Sequence, residues 1–381
     1  MTGLLGLWTA AALAAPALAF SWLPGGHSVR PAEPRRGIER PWFVADAQTL
    51  VDPRTLEYNA AETAAPVLDA AQTRLYLSLR DGRVRCKFRG EFAWTFIARG
   101  AVLAAPLLDE VSDTLYVAAA DGTLTALNRI TGAVRWKADL KEELTTTPTL
   151  DNGKLFVMSS DESVTAVEAA TGKSLWKFHR DRPSGFTIRG NARPVVAHEL
   201  VFAGFADGTV AALRPADGVA RWTRSVSGTG EYLDVDAIEA PEGDAHLYVT
   251  SAKSGLAALN AATGEVSWTH ELPGANHLLV DGPRVYAAGR GAVIAVSRRD
   301  GQELWKARLT KERFATQPVA TSGLLIFSEE RGSLIALDPA TGRARAVRDP
   351  GSGFSQPMAA VQGAGFIVSN NGTLFSFGLL P

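Results

Sequence analysis

The sequence predicts an all-β protein, an eight-bladed β-propeller whose blades are four-stranded antiparallel sheets. Three observations predict it: a turn-and-strand unit recurs about every 40 residues, apolar residues alternate with polar ones between its turns, and most copies end in tryptophan. A single blade cannot bury both of its faces, so the copies must stack against each other around a ring.

Five copies of the repeat are complete from the first turn to the tryptophan. They read "DGTLTALNRITGAVRW", "DESVTAVEAATGKSLW", "DGTVAALRPADGVARW", "KSGLAALNAATGEVSW" and "RGAVIAVSRRDGQELW", and they begin at Asp121, Asp161, Asp207, Lys253 and Arg290. A sixth copy from Arg331 carries Ala346 in the tryptophan place. Degenerate copies that begin at Asp81 and Asn370 complete a set of eight.

Each copy predicts four strands in a fixed order. An apolar run such as "TLYVAA" leads into Asp-Gly or a similar pair, which supplies the positive φ of a tight hairpin. The alternating segment that follows, such as "TLTAL", leads through a second turn at Thr-Gly or Asp-Gly into the tryptophan strand. "TPTL", "RPVV" and "QPVA" begin the next unit. The tryptophans are predicted to wedge between adjacent blades: Trp136, Trp176, Trp222, Trp268 and Trp305.

The N-terminal and C-terminal segments of the propeller are predicted to form one blade together. The last copy stops after "TLFSFGLLP" without a tryptophan strand, which leaves an open sheet edge. We expect "PWFVADAQTL", residues 41–50, to close the ring as a strand of the final blade, so that the propeller comprises residues 41–381.

The residues before the propeller predict export. "LLGLWTAAALAAPALAF" is apolar and ends in the small-x-small pattern Ala17-Leu18-Ala19, which predicts a signal peptide over residues 1–19. A Pro/Arg-rich tether follows over residues 20–40. The alternative is an uncleaved anchor that keeps the body in the cytoplasm, because arginines follow the apolar run and none precedes it.

Composition argues against several functions. The net charge is -1, without the basic stripe that a nucleic-acid surface needs. Cys86 is the single cysteine, so no intramolecular disulfide can form, and in "RVRCKF" it is expected to be a small buried residue. The six histidines are scattered, and we expect neither a metal site nor a cofactor.

Two consecutive copies are longer than the others, and the extra residues follow their tryptophan strands. The first long connector contains "SGFTIRGNARP" and the second "SGTGEYLDVDAIEAPEG". Neighbouring connectors lie side by side on one face of a propeller, and long connectors on a rigid scaffold carry function. An apolar pair with an arginine beside two carboxylates is typical of a protein-binding surface. The alternative is structural: the apolar pair faces a strand core and the carboxylates cap turns.

The repeat resembles that of the PQQ-like, quinoprotein-type propellers, and the two long connectors resemble those of the BamB family within it. Phe186-Thr187-Ile188-Arg189-Gly190 matches the family's apolar-x-apolar-Arg-Gly stretch, and Asp234-Val235-Asp236 matches its acidic motif one blade later. The resemblance implies a non-catalytic scaffold of outer-membrane β-barrel assembly that docks to a POTRA domain of a BamA-like barrel protein. The partner-binding residues that it implies are Phe186, Ile188, Arg189, Gly190, Asp234 and Asp236.

The resemblance also implies a periplasmic location at the inner face of the outer membrane, with unfolded outer-membrane protein precursors as a second class of partner. Members of the family are ordinarily lipidated on a cysteine after the signal, and no cysteine lies near Ala19, so a lipid anchor is not supported. Two alternatives stay open. One is a propeller that binds another envelope protein. The other is a PQQ-dependent dehydrogenase, which the single cysteine disfavours because those enzymes carry a vicinal disulfide.

Overall fold

The computed structural model describes residues 42–51, 61–181, 192–228, 231–310, 313–349, 351, 353–361 and 363–379. In these ranges it contains 32 β-strands and no α-helix, arranged as eight four-stranded antiparallel sheets. The predicted all-β, eight-bladed propeller is therefore confirmed. The signal peptide and tether predicted over residues 1–40 lie outside the described residues.

Seven blades take four consecutive strands, which run from the ring axis outward. Blades 1 to 4 are β2 (Val67–Leu68), β3 (Arg74–Ser78), β4 (Arg83–Phe88), β5 (Glu91–Ile97); β6 (Leu107–Asp109), β7 (Thr114–Ala118), β8 (Thr123–Asn128), β9 (Val134–Asp139); β10 (Thr149–Asp151), β11 (Lys154–Ser159), β12 (Ser163–Glu168), β13 (Ser174–His179); and β14 (Val195–Ala197), β15 (Leu200–Gly204), β16 (Thr209–Leu213), β17 (Ala220–Ser225). Blades 5 to 7 are β18 (Val235–Glu239), β19 (His246–Ser251), β20 (Gly255–Asn260), β21 (Val266–His270); β22 (His277–Asp281), β23 (Arg284–Gly289), β24 (Ala292–Ser297), β25 (Glu303–Arg308); and β26 (Val319–Thr321), β27 (Leu324–Ser328), β28 (Leu334–Leu337), β29 (Ala344–Arg348).

Blade 8 joins the two ends of the chain. It consists of β30 (Ala359–Val361), β31 (Ala364–Val368), β32 (Thr373–Leu379) and, as its outermost strand, β1 (Trp42–Thr49). β1 lies antiparallel to β32 from Trp42 opposite Leu379 to Thr49 opposite Thr373. A register shift between Val44 and Asp46 interrupts this pairing once. The edge that the last repeat leaves open is thus covered by the N-terminal strand of the same chain.

The burial of each strand follows its place in the blade. The middle strands β7 and β8 are almost wholly buried, because neighbouring blades cover both of their faces, and their sequences are accordingly near-continuous apolar runs. The outermost strand β9 alternates between exposed and partly buried residues. The alternation in the sequence therefore marks the outer strands, while the continuous apolar runs mark the strands that stack between blades.

The tryptophan of one blade packs against a glycine of the next blade. Each glycine lies in the turn between the third and fourth strands at positive φ, and a Cβ added there would lie 2.5 to 2.7 Å from the indole ring. Each indole Nε1–H also donates to a backbone carbonyl of that next blade at 3.0 to 3.2 Å. The six pairs are Trp94–Gly132, Trp136–Gly172, Trp176–Gly218, Trp222–Gly264, Trp268–Gly301 and Trp305–Gly342.

The two junctions that involve blade 8 use other contacts. Blade 8 has no turn between its third and fourth strands, because β32 and β1 belong to opposite ends of the chain. A tryptophan on blade 7 would have no glycine turn to pack on, and Ala346 stands in its place beside a cluster that includes Phe354 and Phe377. Phe354 and Phe377 are fully buried there.

The junction from blade 8 to blade 1 combines an apolar cluster from both blades with a polar contact at the outermost strand. Asp46 pairs with Ser376 at the position that Trp136 occupies opposite Ala126 in blade 2. The buried Lys87 of blade 1 donates from Nζ to Gln48 Oε1 on β1. Burial lowers the pKa of Lys87, and the charge of Asp46 opposes that shift. A buried ammonium group that donates to the amide oxygen of Gln48 and interacts with the charge of Asp46 therefore holds the closing strand on the first blade.

We expect Gly218→Ala to lower the free energy of unfolding by more than Gly243→Ala does. Both glycines have φ near +73°, so each substitution incurs the left-handed backbone cost of about 1–2 kcal/mol. A Cβ on Gly218 meets Trp176 at 2.6 Å, whereas Gly243 has nothing within 4 Å. Chemical denaturation should therefore show an additional loss of about 1–3 kcal/mol for the Gly218 variant. Equal losses would mean that the tryptophan contact does not hold the blades together.

We expect the free energy of unfolding to depend on pH through the ionisation of Glu62. Its side chain is 2% exposed, and its Oε2 accepts the backbone N–H of Arg80 at 3.0 Å. Burial, followed by the charge of Asp81, raises the pKa of Glu62 to about 7. The folded-state pKa lies above the unfolded one, so the stabilisation is complete below about pH 4.5 and is lost as the pH rises through about 7. Glu62→Gln, which cannot ionise, should become more stable than the wild type between pH 5 and pH 8, by up to about 3 kcal/mol.

The measurement is urea denaturation of both proteins across this pH range. Glu271→Gln is the matched control, because Glu271 is an exposed glutamate on the connector between blades 5 and 6. A difference between wild type and Glu62→Gln that does not change with pH would contradict the ionisation of Glu62 as its cause.

Candidate docking face and axial cavity

The connectors between blades emerge on the same face of the disc as the hairpins between second and third strands. The first residue after an outer strand donates its N–H to the carbonyl of the hairpin glycine at 2.8 to 2.9 Å. We call this surface the connector face. The pairs that define it are Ala98–Gly82, Leu140–Gly122, Val226–Gly208 and Leu309–Gly291.

The first long connector runs from β13 to β14. Residues 182–191 lie outside the described residues, and with them Phe186, Ile188, Arg189 and Gly190. Their predicted role in partner binding stays a prediction. The described ends of the connector are Arg180–Asp181 and Ala192–Pro194, of which Ala192 is buried against the core of blades 4 and 5.

An ion pair fixes the start of this connector on the next blade. Arg180 Nη2 lies 2.5 Å from Asp207 Oδ2, and Arg180 Nε lies 3.1 Å from the same oxygen. The guanidinium stands 5.7 Å from the ring centroid of Phe205, which in turn packs on Phe178 at 5.9 Å. Asp207 also accepts the N–H of Thr209 at 3.0 Å, so the carboxylate is held by its own hairpin. The connector therefore leaves blade 3 from a rigid base.

Hydrogen bonds from two serine side chains hold the second long connector, residues 226–234, in place. The carbonyl of Leu233 accepts hydrogen bonds from Ser227 Oγ at 2.8 Å and Ser251 Oγ at 3.0 Å. Gly208 lies under the same loop, where a Cβ would meet Ser227 at 2.6 Å. The described part of this connector is thus a supported surface, except for residues 229–230, which the structure does not describe.

Tyr232 is the most unusual residue of the second connector. It is 46% exposed and has φ of +59°, a left-handed conformation that a bulky residue rarely adopts. Such backbone strain costs about 1–3 kcal/mol and persists where the surroundings impose it. The loop holds a large aromatic ring in solvent at that cost, which is typical of a contact residue at a protein interface.

The two predicted acidic residues are placed differently from the exposed edge that the sequence suggested. Asp234 is 0% exposed, and its backbone carbonyl accepts the N–H of Ala252 at 3.3 Å. Asp236 lies one step further along β18, at a register shift between Val235 and Ala237, and it lines the central cavity rather than the connector face. In this conformation neither carboxylate is available to a partner on the connector face, because β18 has already turned inward.

The cavity at the ring axis has a volume of about 800 Å³ and an open, mixed lining. The innermost strands and the residues just before them supply that lining, which is aliphatic at Leu68, Leu107 and Leu278. The ionisable residues of the lining are Glu110, Arg193, Asp236, Glu239 and His277.

Burial is the main cause of the pKa shifts of Asp236, Glu239 and His277. It raises the pKa of Asp236 well above its ordinary value, with the charge of Asp234 adding to the shift. Burial raises the pKa of Glu239 to about 7, although the N–H of Val280 at 2.8 Å and the charge of Arg193 oppose the shift. Burial also lowers the pKa of His277 to about 4. The lining at neutral pH is therefore much less charged than its composition suggests.

Two residues that line this cavity each have a buried polar atom with no hydrogen-bond partner among the described residues. The atoms are Asp236 Oδ2 and Thr146 Oγ1, and Thr146 is only 6% exposed. A buried polar atom without a partner costs about 1–3 kcal/mol, and water or a ligand usually satisfies it. The axial cavity is thus a second candidate site, independent of the connector face.

The aromatic and axial parts of these sites were not predicted from the sequence. Tyr232 stands in the quoted connector "SGTGEYLDVDAIEAPEG", where a lone aromatic among small and acidic residues was the available signal. Glu239 and His277 carry no such signal, because only the closed ring brings β18 and β22 together at the axis.

Within the described ranges, no three His, Cys, Asp or Glu side chains are grouped closely enough to hold a metal ion. A search of the same residues for a helix with the length and apolar character of a membrane span finds none.

Comparison with known proteins agrees on one family. The profile described as outer membrane protein assembly factor BamB matches residues 80–243 and 234–376. Among curated relatives, the BamB of Xanthomonas campestris is 32% identical over 67% of this chain and 64% of its own length. The BamB of Escherichia coli is 30% identical over 66% of each chain, and that of Shewanella oneidensis is 30% identical over 62% of this chain and 61% of its own. The matched region spans somewhat under two thirds of the length of these relatives.

Solved structures with the same fold include BamB from Moraxella catarrhalis. It has a TM-score of 0.77 and 21% sequence identity, and the match covers 89% of this chain and 100% of that one. The quinohemoprotein alcohol dehydrogenase of Comamonas testosteroni has a TM-score of 0.69 at 13% identity, over 90% of this chain and 78% of that enzyme. At these identities both likenesses concern the fold alone.

Proposed function

This chain belongs to the BamB family of outer membrane protein assembly factors, and from that premise we propose that it is a non-catalytic scaffold in outer-membrane β-barrel assembly. It would act in the periplasm and dock to a POTRA domain of a BamA-like barrel protein through the connector face. The observation that carries the proposal is the family match over residues 80–243 and 234–376, which includes both long connectors.

The geometry of the connector face supports docking. Arg180 and Asp207 hold the base of the first connector, and two serine hydroxyls hold the second at Leu233. The described part of the second connector is held in place before binding, so binding costs it little conformational entropy, which favours affinity. Tyr232 supplies an exposed aromatic ring on the second connector, and Phe186, Ile188 and Arg189, the contact residues predicted on the first, lie outside the described residues.

The burial of Asp234 and Asp236 changes their part in the proposal. They support the inner side of the second connector rather than meet the partner, since Asp234 has no exposed surface. Arg189 and Tyr232 are therefore the residues through which docking is best tested, because a charge reversal at Asp236 would disturb the cavity as well.

A quinone-dependent dehydrogenase fits the described residues less well. Pyrroloquinoline quinone is a tricarboxylate, and the cavity lining offers it one arginine, Arg193, against the acidic Glu110, Asp236 and Glu239. With one cysteine in the sequence, the chain also cannot form the vicinal disulfide of the quinoprotein alcohol dehydrogenases.

We expect Arg189→Glu and Tyr232→Asn each to weaken capture of a POTRA-containing barrel protein by at least about tenfold, the loss of one interface hot spot. Asparagine tolerates the left-handed backbone, so the Tyr232 variant removes the ring without new strain. The measurement is a pull-down from envelope extracts with identification by mass spectrometry, together with a melting curve for each variant.

Arg343→Glu is the matched control, because Arg343 is exposed on a turn between third and fourth strands, on the opposite face of the disc. Loss of capture in this control would point to a general charge effect. Undiminished capture by both test variants would move the docking site away from the connectors, and absence of any barrel protein with the wild type would overturn the proposed function.

A further inference from the structure

The axial cavity contains more unmet hydrogen-bonding capacity than the fold requires. Asp236 Oδ2 and Thr146 Oγ1 are both buried without a partner in the part of the chain that the structure describes, and they come from blade 5 and from the start of blade 3 respectively. Both residues line the same space of about 800 Å³. That volume falls in the range of small-molecule sites in proteins, about 300–1,000 Å³.

Carboxyl groups outnumber guanidinium and ammonium groups in the described lining of the cavity. Asp234 raises the pKa of Asp236, second to burial, and among the described residues no lysine or arginine contributes to that pKa. Glu239, on the same strand, has the charge of Arg193 to oppose its shift. The other ionisable groups of the lining are Glu110 and His277, and burial keeps the imidazole of His277 neutral at pH 7. The described lining therefore has three carboxyl groups, those of Glu110, Asp236 and Glu239, against the one guanidinium of Arg193, which favours a positively charged ligand.

The rest of the lining is aliphatic. Leu68, Leu103, Leu107 and Leu278 surround the space from which the carboxyl groups are reached. Burial of apolar surface there contributes about 25 cal/mol per Å². A ligand that matches this lining has a positively charged head that donates hydrogen bonds and a short apolar body.

We propose that the axial cavity binds a primary alkylammonium ion, whose head donates to Asp236 Oδ2 and whose alkyl chain packs on the leucines of the inner strands. The ammonium group has three N–H donors, and Asp236 Oδ2 is a hydrogen-bond acceptor without a partner among the described residues. Glu239 supplies a second carboxylate on the same strand. The positive charge of Arg193, which acts on Glu239, disfavours an ammonium group on that side of the cavity.

Binding of this ion is coupled to protons. The raised pKa values of Asp236 and Glu239 mean that the empty cavity retains protons which an ammonium ion must displace. Apparent affinity therefore rises with pH, by up to about tenfold from pH 6 to pH 8 for a group that titrates near pH 7. The alkylammonium itself stays charged over that range.

Isothermal titration of the whole protein with hexylammonium tests the proposal. We expect saturable binding that strengthens from pH 6 to pH 8, with release of protons that is read from the difference in heat between phosphate and MOPS buffers, neither of which contains a primary amine. Hexanoate and hexanol are the matched probes: the first reverses the charge and the second removes it, and both should bind at least tenfold more weakly.

Substitutions in the cavity lining test which carboxyl groups bind hexylammonium. Asp236→Asn and Glu239→Gln should each weaken hexylammonium binding at least tenfold and reduce the proton release, while Asp181→Asn and Glu271→Gln, at exposed carboxylates, should bind like the wild type. The wild-type proton release is independent of the variants, so the proposal stays testable if one of them does not fold. No heat with hexylammonium, equal binding of hexanol, or undiminished binding by both cavity variants would overturn it.

Discussion

The contact between an indole ring and a glycine of the next blade is the interaction on which the ring depends. It combines three requirements in one place: a positive φ in the turn, the absence of a Cβ within 2.7 Å of the ring, and a carbonyl within 3.2 Å of Nε1. Only glycine meets the first two, and only tryptophan reaches both the turn and the carbonyl. Six successive junctions repeat it, so the angle between blades is set six times by the same geometry.

The ring closes without an indole–glycine contact at the two junctions that involve blade 8. Blade 8 is assembled from both ends of the chain, so it has no turn on which a tryptophan of blade 7 could pack. Phenylalanine rings fill that junction, with Phe354 edge-on to Phe375 at 5.8 Å. The opposite junction uses the buried Lys87 with Gln48. Blade 8 is therefore joined by contacts of its own, as expected where sequential repetition stops.

The sequence was sufficient for the fold and for the blade count, because turn glycines and tryptophans are local signals that recur at a constant spacing. It also contained Trp94, whose copy "DGRVRCKFRGEFAW" was too short for Trp94 to join the predicted docking set, although it packs on Gly132 in the same way. The position of Asp236 could not be read from the sequence. Strict alternation assigns faces along a strand, but the register shift between Val235 and Ala237 changes the phase at that residue. Only the paired partner strand reveals such a shift.

The same register shift connects the two candidate sites. Asp234 ends the second long connector, and Asp236, two residues later, lines the axis; the charge of Asp234 acts on the pKa of Asp236. Protonation at the axis thus changes the electrostatic environment beneath the connector face. Because Ser227 and Ser251 fix Leu233 immediately before Asp234, the backbone there has little freedom to absorb that change. The start of β18 is therefore the point at which the axial cavity adjoins the second long connector of the connector face.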